Sequence, residues 1–263
     1  MRCPLAFAML LAIAASVAGA EPPSPAPPGE AVDDPDSLPK GENLIANGDF
    51  EQGATTPDGW QTVDGLSSFW GEADDPARGR VLRFDTDVLQ SQAYAWWKAI
   101  HAGASPADAP SKQLTVEPKY DTLAGLDGTW FFSDAIAVEP DKSYWLTIDA
   151  KGPAMLCWLV GYPEAPDETF GADAAAFQGY LLKERGEFVN ERGREPFIHQ
   201  YVWRGQLAVG GDTENWHTYS RRTKPFRPTR NTPNVRYVRV LLFPFWPPGK
   251  YEVDNLRLVE VAE

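Results

Sequence analysis

The chain has 263 residues, of which 43% are hydrophobic and 12% aromatic, and its formal net charge at pH 7 is −13. An acidic chain repels polyanions, so this charge argues against nucleic acid and anionic lipid as partners and favours a neutral or cationic ligand. Cys157 is the only cysteine outside the first three residues, so no disulfide framework is available.

The N-terminus has the organisation of a signal peptide. A short basic start precedes an apolar stretch, residues 5–17, that is too short to span a bilayer, and small residues occupy positions 18–20. We expect residues 1–20 to be removed after Ala20. The mature protein is therefore predicted to be secreted, periplasmic or on the cell surface, with no membrane insertion.

Residues 21–40 are predicted to be an extended linker. They contain seven prolines among acidic and small residues and show no apolar periodicity. Residues 41–263 contain no second linker of this kind and have a length that one domain can reach. We therefore expect one folded domain that begins near Glu42.

Two short segments near the ends of this domain are predicted to be its first and last strands. Residues 43–51 read Asn-Leu-Ile-Ala-Asn-Gly-Asp-Phe-Glu, and residues 251–259 read Tyr-Glu-Val-Asp-Asn-Leu-Arg-Leu-Val. On an extended chain Asp49 and Glu51 point to one side, and Phe50 points to the other, where it can enter a core. If the two strands are neighbours, Asp254 adds a third oxygen donor of the kind that calcium binds. The alternative is that Asp49 is a turn residue and that Glu51 and Asp254 are solvated.

The opening segment resembles the Asn-Gly-x-Phe-Glu start of secreted carbohydrate-binding modules with a galactose-binding-like jelly roll. The closing segment is similar to their Val-Asp-Asn-Val-x-Leu finish, and residues 134–152 are similar to their middle part. The resemblance implies an antiparallel β-sandwich with adjacent termini and a structural calcium ion, and it supports Asp49, Glu51 and Asp254 as the metal ligands. It also implies a polysaccharide or glycan as the partner.

The segments between the two ends favour an all-β fold. They are rich in β-branched and aromatic residues and are separated by Gly, Pro, Asp or Asn. The predicted inner strands are Arg80–Asp85, Trp130–Val138, Ser143–Asp149, Met155–Val160, Trp216–Arg221 and Val235–Phe243. Residues 87–128 and 163–200 match the family poorly and are predicted to be two long insertions. Each is expected to contain a short helix, at residues 90–102 and 173–187.

Aromatic residues are the strongest indication of function, because the C–H faces of sugars stack on aromatic rings while polar groups bind the hydroxyls. Most of the ten tryptophans must nevertheless lie in the core, as we expect for Trp60. The candidates for ligand binding border the insertions, occupy a hairpin tip or alternate with polar residues on a strand. They are Trp97, Trp130, Trp145, Tyr162, Trp203, Arg204 and Trp246.

The sequence contains little that indicates catalysis. Its three histidines have no zinc-ligand spacing, and no phosphate loop or nucleophile elbow is present. We therefore favour a non-catalytic carbohydrate-binding protein. One alternative is a glycoside hydrolase or lyase that uses carboxylates of the second insertion, such as Glu184, Glu187, Glu191 and Glu195. Another is an envelope or matrix adhesion protein. The identity of the sugar and the oligomeric state do not follow from the sequence.

Overall fold

The computed structural model describes residues 24–117, 119–126, 128–166, 201–221 and 224–262. The predicted signal peptide and the helix predicted at 173–187 lie outside these residues. The described part contains the following helices and strands: β1 (Ser68–Glu72), β2 (Arg80–Asp85), α1 (Gln90–His101), α2 (Leu123–Leu126), β3 (Phe131–Phe132), β4 (Ile136–Ala137), β5 (Ser143–Gly152), β6 (Met155–Tyr162), β7 (Trp203–Val209), β8 (Asp212–Ser220), β9 (Tyr237–Phe243) and β10 (Lys250–Val261).

The strands form two antiparallel sheets. Sheet 1 has the order β1-β2-β10-β5-β8, and sheet 2 has the order β3-β9-β6-β7 with β4 also paired to β9. On β5 the inward residues Tyr144, Leu146, Ile148 and Ala150 are buried and alternate with less buried ones, as expected for a strand with one face in the core. The prediction of an all-β sandwich is therefore confirmed.

The second face of sheet 2 is buried as well. The outward side chains of β6, including Val160 and Tyr162, share a second apolar cluster with Tyr94 and Trp97 of α1 and Leu123 of α2. This explains why almost every residue of β6 is buried. It also confirms the helix predicted near residues 90–102, whose aromatic side chains pack against the sheet.

The Asp64 carboxylate connects this helical cover to the sheets. Asp64 is 2% exposed, and its Oδ1 accepts hydrogen bonds from the main-chain N–H groups of Leu66, Ser67 and Ser68 at 2.6 to 2.9 Å. Its Oδ2 accepts from the Ser67 hydroxyl and, at 2.9 Å, from the Trp97 indole. One buried carboxylate thus fixes both the turn before β1 and the position of α1.

Residues 43–51 do not form the predicted first strand. They contain consecutive turns, with positive φ angles at Asn47 (49°) and Phe50 (56°) that are incompatible with an extended chain. Phe50 nevertheless enters the core as predicted and is fully buried. The adjacency of the two ends also holds, because the Leu44 N–H donates to Leu258 and the Leu256 N–H donates to Gly48, both at 2.8 Å.

Part of the predicted linker is instead attached to the domain. We call residues 26–32 the N-terminal strap. The Gly29 N–H donates to the Gly210 carbonyl at 2.9 Å, the Val32 N–H donates to Thr218 at 2.8 Å, and Ala31 forms a β-bridge with Tyr219. Gly29 leaves no room for a Cβ atom, which would lie 2.7 Å from the Ala208 oxygen. The strap thus supplies hydrogen-bond partners to the edge strand β8, which sheet 1 leaves unpaired on that side.

The other predicted inner strands agree with the structure to within a few residues, with one exception. Residues 130–138 form two short strands, β3 and β4. At the intervening Ser133 the main-chain N–H still donates to the Val240 carbonyl at 2.9 Å, but the Val240 N–H donates to the Ser133 side-chain oxygen rather than to a main-chain carbonyl. Cys157 is fully buried, and this burial raises the pKa of its thiol to about 12. Cys157 is therefore a small core residue rather than a reactive thiol. Among the described residues no helix has the length and apolarity to cross a membrane.

Candidate functional site

The outer face of sheet 1 carries a cleft that crosses the whole sheet. Its volume is about 430 Å³, and residues from all five strands line it, including Phe69, Arg83, Lys151, Thr213, Lys250 and Glu252. Five strands span about 19 Å at the usual interstrand spacing of about 4.8 Å. The cleft is therefore an elongated site on a rigid sheet.

One row of cross-strand neighbours forms the floor of this cleft. Phe69 is paired in register with Arg83, Arg83 with Glu252, and Glu252 with Lys151. Residues paired in this way point to the same face with their Cβ atoms about 5 Å apart. The row thus places an aromatic ring and three charged groups side by side.

The Glu252 carboxylate holds the two cations of this row. Lys151 Nζ lies 2.5 Å from one of its oxygens, and Arg83 Nε lies 3.3 Å from the other. The Arg83 contact does not have the geometry of a hydrogen bond, and Nε is buried without a hydrogen-bond partner in the described residues. Lys151 Nζ also lies 5.7 Å from the centroid of the Trp216 ring. The polar groups are thereby fixed in place before any ligand arrives.

Phe69 presents the free aromatic surface of the row. Its side chain is partly exposed, and within the described part of the chain no aromatic ring or cation lies over it. Trp216, at the opposite end of the row, is different because the Arg78 guanidinium covers its ring at 4.1 Å. Of the two rings, Phe69 is therefore the one available for stacking.

A second, shallower cleft of about 480 Å³ contains two of the predicted calcium ligands. Asp49 and Glu51 line it together with Asp75, Arg78 and Asp149. Asp254 is 1% exposed, and the Arg78 guanidinium lies 3.2 Å from its Oδ2 and 3.0 Å from Asp149 Oδ2. Burial raises the pKa of the Asp254 carboxyl group to about 6, although the Asn255 N–H and Arg78 favour its ionised form.

This arrangement bears directly on the predicted calcium ion. The carboxylate of Asp254 already has a cationic partner in Arg78, and Glu51 accepts a hydrogen bond from the Arg80 N–H at 2.8 Å. Among the residues that the structure describes, no group of three or more His, Cys, Asp or Glu side chains is arranged to hold a metal ion. As arranged, the three predicted ligands do not fit a calcium ion unless Arg78 moves.

Three predicted ligand-binding residues lie in positions that leave little room for a sugar. Trp97 is 2% exposed and Tyr162 is fully buried, both in the cluster between sheet 2 and the helices. Trp203 packs against the core between the sheets, with its ring edge-to-face on Phe226 at 6.3 Å. The sequence places these residues at the borders of insertions, but tertiary packing on both faces of sheet 2 covers them.

Trp130 and Arg204 are brought together on the outer face of sheet 2. The Trp130 ring lies 6.1 Å from Trp158, and the Arg204 guanidinium lies 4.3 Å above the same Trp158 ring. Trp246 lies elsewhere, in contact with Tyr120 at 5.8 Å. Trp145 does point outward from sheet 1, as its alternation with Thr147 and Asp149 predicts, but it does not line the cleft.

The residues of the cleft floor were not predicted from the sequence. Lys151 lies just beyond a predicted strand and Glu252 within one, so alternation along β5 and β10 could have identified both. Phe69 had no such signal, because β1 is short, with one glycine just before it at position 65 and another within it at position 71. The candidate carboxylates of the second insertion, from Glu184 to Glu195, lie outside the described residues.

Comparisons with known proteins give only distant likenesses. The chain matches no protein-family model and no curated protein. Among solved structures, the enzymatically active domain of tailspike protein 4 of bacteriophage CBA120 is 10% identical with a TM-score of 0.40, over 83% of this chain but only 21% of that one.

Two carbohydrate-binding modules are matched over nearly their whole length. A CBM4 module is 11% identical with a TM-score of 0.36, over 82% of this chain and 99% of that one. The family 11 module of the cellulase Lic26A-Cel5E of Clostridium thermocellum is 10% identical with a TM-score of 0.33, over 86% and 98%. These scores are too low to support an argument about ligand or activity.

Proposed function

We propose that this protein binds a glycan in the cleft on the outer face of sheet 1. The observation that carries the proposal is the row formed by Phe69, Arg83, Glu252 and Lys151, which crosses four neighbouring strands. It combines a partly exposed ring with fixed donors and acceptors. This is the combination that sugars require, because their C–H faces stack on aromatic rings and their hydroxyls need polar partners.

The rigid arrangement of the polar side chains favours specific binding of a ligand. The polar side chains are paired with one another across rigid strands, so little side-chain entropy remains to be lost when a ligand is bound. The cleft is also open along its length and can accept a chain as well as a single ring. Together with the predicted signal peptide, this supports a secreted or cell-surface protein that binds polysaccharide outside the cytoplasm.

Replacing Phe69 by alanine is expected to weaken glycan binding at least about tenfold, since a central aromatic contact contributes at least about 1.4 kcal/mol. Binding would first be found on a glycan array with the mature chain, residues 21–263, and then measured by titration calorimetry. Trp246→Ala is the matched control, because Trp246 is partly exposed but lies away from the cleft. Loss of binding in Arg204→Ala, with Phe69→Ala unaffected, would place the site on sheet 2 and contradict the proposal. Loss in Trp246→Ala alone would place it at the β9–β10 connection and contradict the proposal equally.

The same array also separates binding from catalysis. Intact glycans after incubation would support a non-catalytic binding protein. Release of shorter products would support the hydrolase or lyase alternative and direct attention to the carboxylates of the second insertion. Absence of binding to every glycan would leave the adhesion alternative.

Calcium at Asp49, Glu51 and Asp254 is kept as a separate proposal. An ion there would have to displace the Arg78 guanidinium from Asp254, so Arg78→Met is expected to strengthen calcium binding and Asp254→Asn to abolish it. A bound ion stabilises the folded state by mass action, about 2.7 kcal/mol at a hundredfold excess over Kd. The measurement is the melting temperature in EDTA and then in calcium. No response in either the unaltered protein or Arg78→Met would refute the site.

A further inference from the structure

The floor of the cleft carries an excess of positive charge, although the chain as a whole is acidic. Arg83 and Lys151 share the single carboxylate of Glu252, which leaves one positive charge in excess on the floor. Asp85 also lines the cleft, but both of its oxygens bind Lys112 Nζ, at 3.0 and 2.8 Å. The carboxylates of Glu252 and Asp85 are therefore already neutralised by neighbouring cations.

Lys250 adds a further cation at the rim of the cleft. It is exposed, it is the cross-strand partner of Asp85, and it forms no ion pair in the described part of the chain. The opposing charge at this rim is Asp74, an exposed residue of the β1–β2 loop. The lining contains three cations and three carboxylates, but Lys112 and Lys119, which lie outside it, hold Asp85 and Asp87. Five cations therefore accompany four carboxylates in this network, although the chain as a whole carries a net charge of −13.

Arg83 retains hydrogen-bonding capacity that Glu252 does not use. Its Nε is buried and lies 3.3 Å from Glu252 Oε1, without the geometry of a hydrogen bond. The Arg83 side chain as a whole is 35% exposed, so the outer part of its guanidinium can donate to an acceptor that a ligand supplies. A guanidinium prefers a planar carboxylate, to which it can donate two parallel hydrogen bonds.

We propose that the cleft selects acidic sugars, with the carboxylate of a uronic acid bound by Arg83, Lys151 and Lys250 while a sugar ring of the same chain stacks on Phe69. This inference rests on the proposed glycan binding and names its ligand class. The overall negative charge of the protein does not exclude such a ligand, because at physiological ionic strength charges more than about 8 Å away are largely screened. The local cations therefore decide the preference.

The test compares polymers that differ only in charge. Titration calorimetry would use polygalacturonate, polymannuronate and polyglucuronate, each beside its carboxyl-reduced neutral derivative. A glucan that carries sulfate groups but no carboxylates would be titrated as well. At least one uronate is expected to bind about tenfold or more tightly than its reduced derivative, and its affinity is expected to fall as salt is raised from 50 to 500 mM. The sulfated glucan is expected to bind more weakly than that uronate, because sulfate lacks the planar geometry of a carboxylate.

Two lysine variants locate the effect. Lys250→Gln is expected to weaken uronate binding about threefold to tenfold and to weaken binding of the neutral derivative less. The control is Lys40→Gln, a lysine whose side chain is 70% exposed and which does not line the cleft. Equal affinity for the acidic and reduced polymers would overturn the inference while leaving glycan binding intact. Failure to bind any uronate or neutral glycan would overturn both, and stronger binding of the sulfated glucan would show charge without carboxylate selection and overturn the uronate assignment.

Discussion

Asp64→Ala is expected to lower the free energy of unfolding by about 3–5 kcal/mol, because it removes the acceptor of five hydrogen bonds from a site that water does not reach. Three main-chain N–H groups, the Ser67 hydroxyl and the Trp97 indole would lose their partner together. For a domain of this size about 2–4 °C is lost per kcal/mol, so the melting temperature should fall by roughly 10 °C.

Asp75→Ala is the matched control for this loss. Asp75 is also an aspartate at a turn, but it is exposed and its side chain accepts one main-chain N–H, from Ala77 at 3.0 Å. Its removal is expected to destabilise the protein by about 1 kcal/mol or less. Asp64→Asn should fall between the two, because an amide keeps one of the acceptor oxygens. If Asp64→Ala melts at the same temperature as Asp75→Ala, Asp64 does not hold α1 and the β1 turn as described.

Gly29→Val is expected to detach the N-terminal strap from β8. A Cβ atom at this position would lie 2.7 Å from the Ala208 oxygen, 2.7 Å from a ring carbon of Tyr219 and 2.8 Å from the Val209 Cα. Two main-chain hydrogen bonds and the burial of Ala26 would be lost, which should lower the free energy of unfolding by about 2–3 kcal/mol. Because the edge of β8 is then unpaired, the variant is also expected to self-associate as its concentration rises.

Three measurements report whether the strap is detached from β8. They are the melting temperature, limited proteolysis of residues 24–33, and the mass in solution by light scattering. Gly41→Val is the control, because a Cβ atom there meets nothing closer than Val259 Cβ at 3.6 Å, an ordinary contact. If both variants melt alike, resist protease alike and remain the same size, the strap does not protect the edge of sheet 1.

The fold could be predicted from the sequence where one local pattern decides the structure. Alternation with one buried face identified β5, a run rich in β-branched and aromatic residues identified β9, and the aromatic stripe identified α1. The prediction failed for residues 43–51 because side-chain hydrogen bonds replace the strand ladder there. Asn43 accepts from the Leu258 N–H at 3.0 Å and donates to the Leu256 carbonyl at 2.9 Å. Such pairing joins residues more than two hundred positions apart, and no local window contains it.

The candidate site was less accessible to sequence reasoning than the fold. The sequence favours aromatic residues near the insertions as platforms, yet Trp97 and Tyr162 are buried because α1 and α2 cover the outer face of sheet 2. The cleft lies on the other sheet, where charged residues from β2, β5 and β10 meet. Their proximity depends on strand order, and strand order is set by long-range packing rather than by any single segment. For the same reason the strap is predicted to be a linker: its composition is that of a linker, and only its contact with β8 orders it.

The strand order also determines when this domain can assemble. β10 is the last strand along the chain, yet it lies between β2 and β5 at the centre of sheet 1. Until it is available, β1–β2 and β5–β8 are two separate ribbons with exposed inner edges, and Arg83 and Lys151 have no Glu252 between them. Such non-local pairing is slow, because the loop-closure entropy is lost before the contacts form. The chain therefore completes both its core and its binding face in one late step, once residues 250–261 are available for pairing.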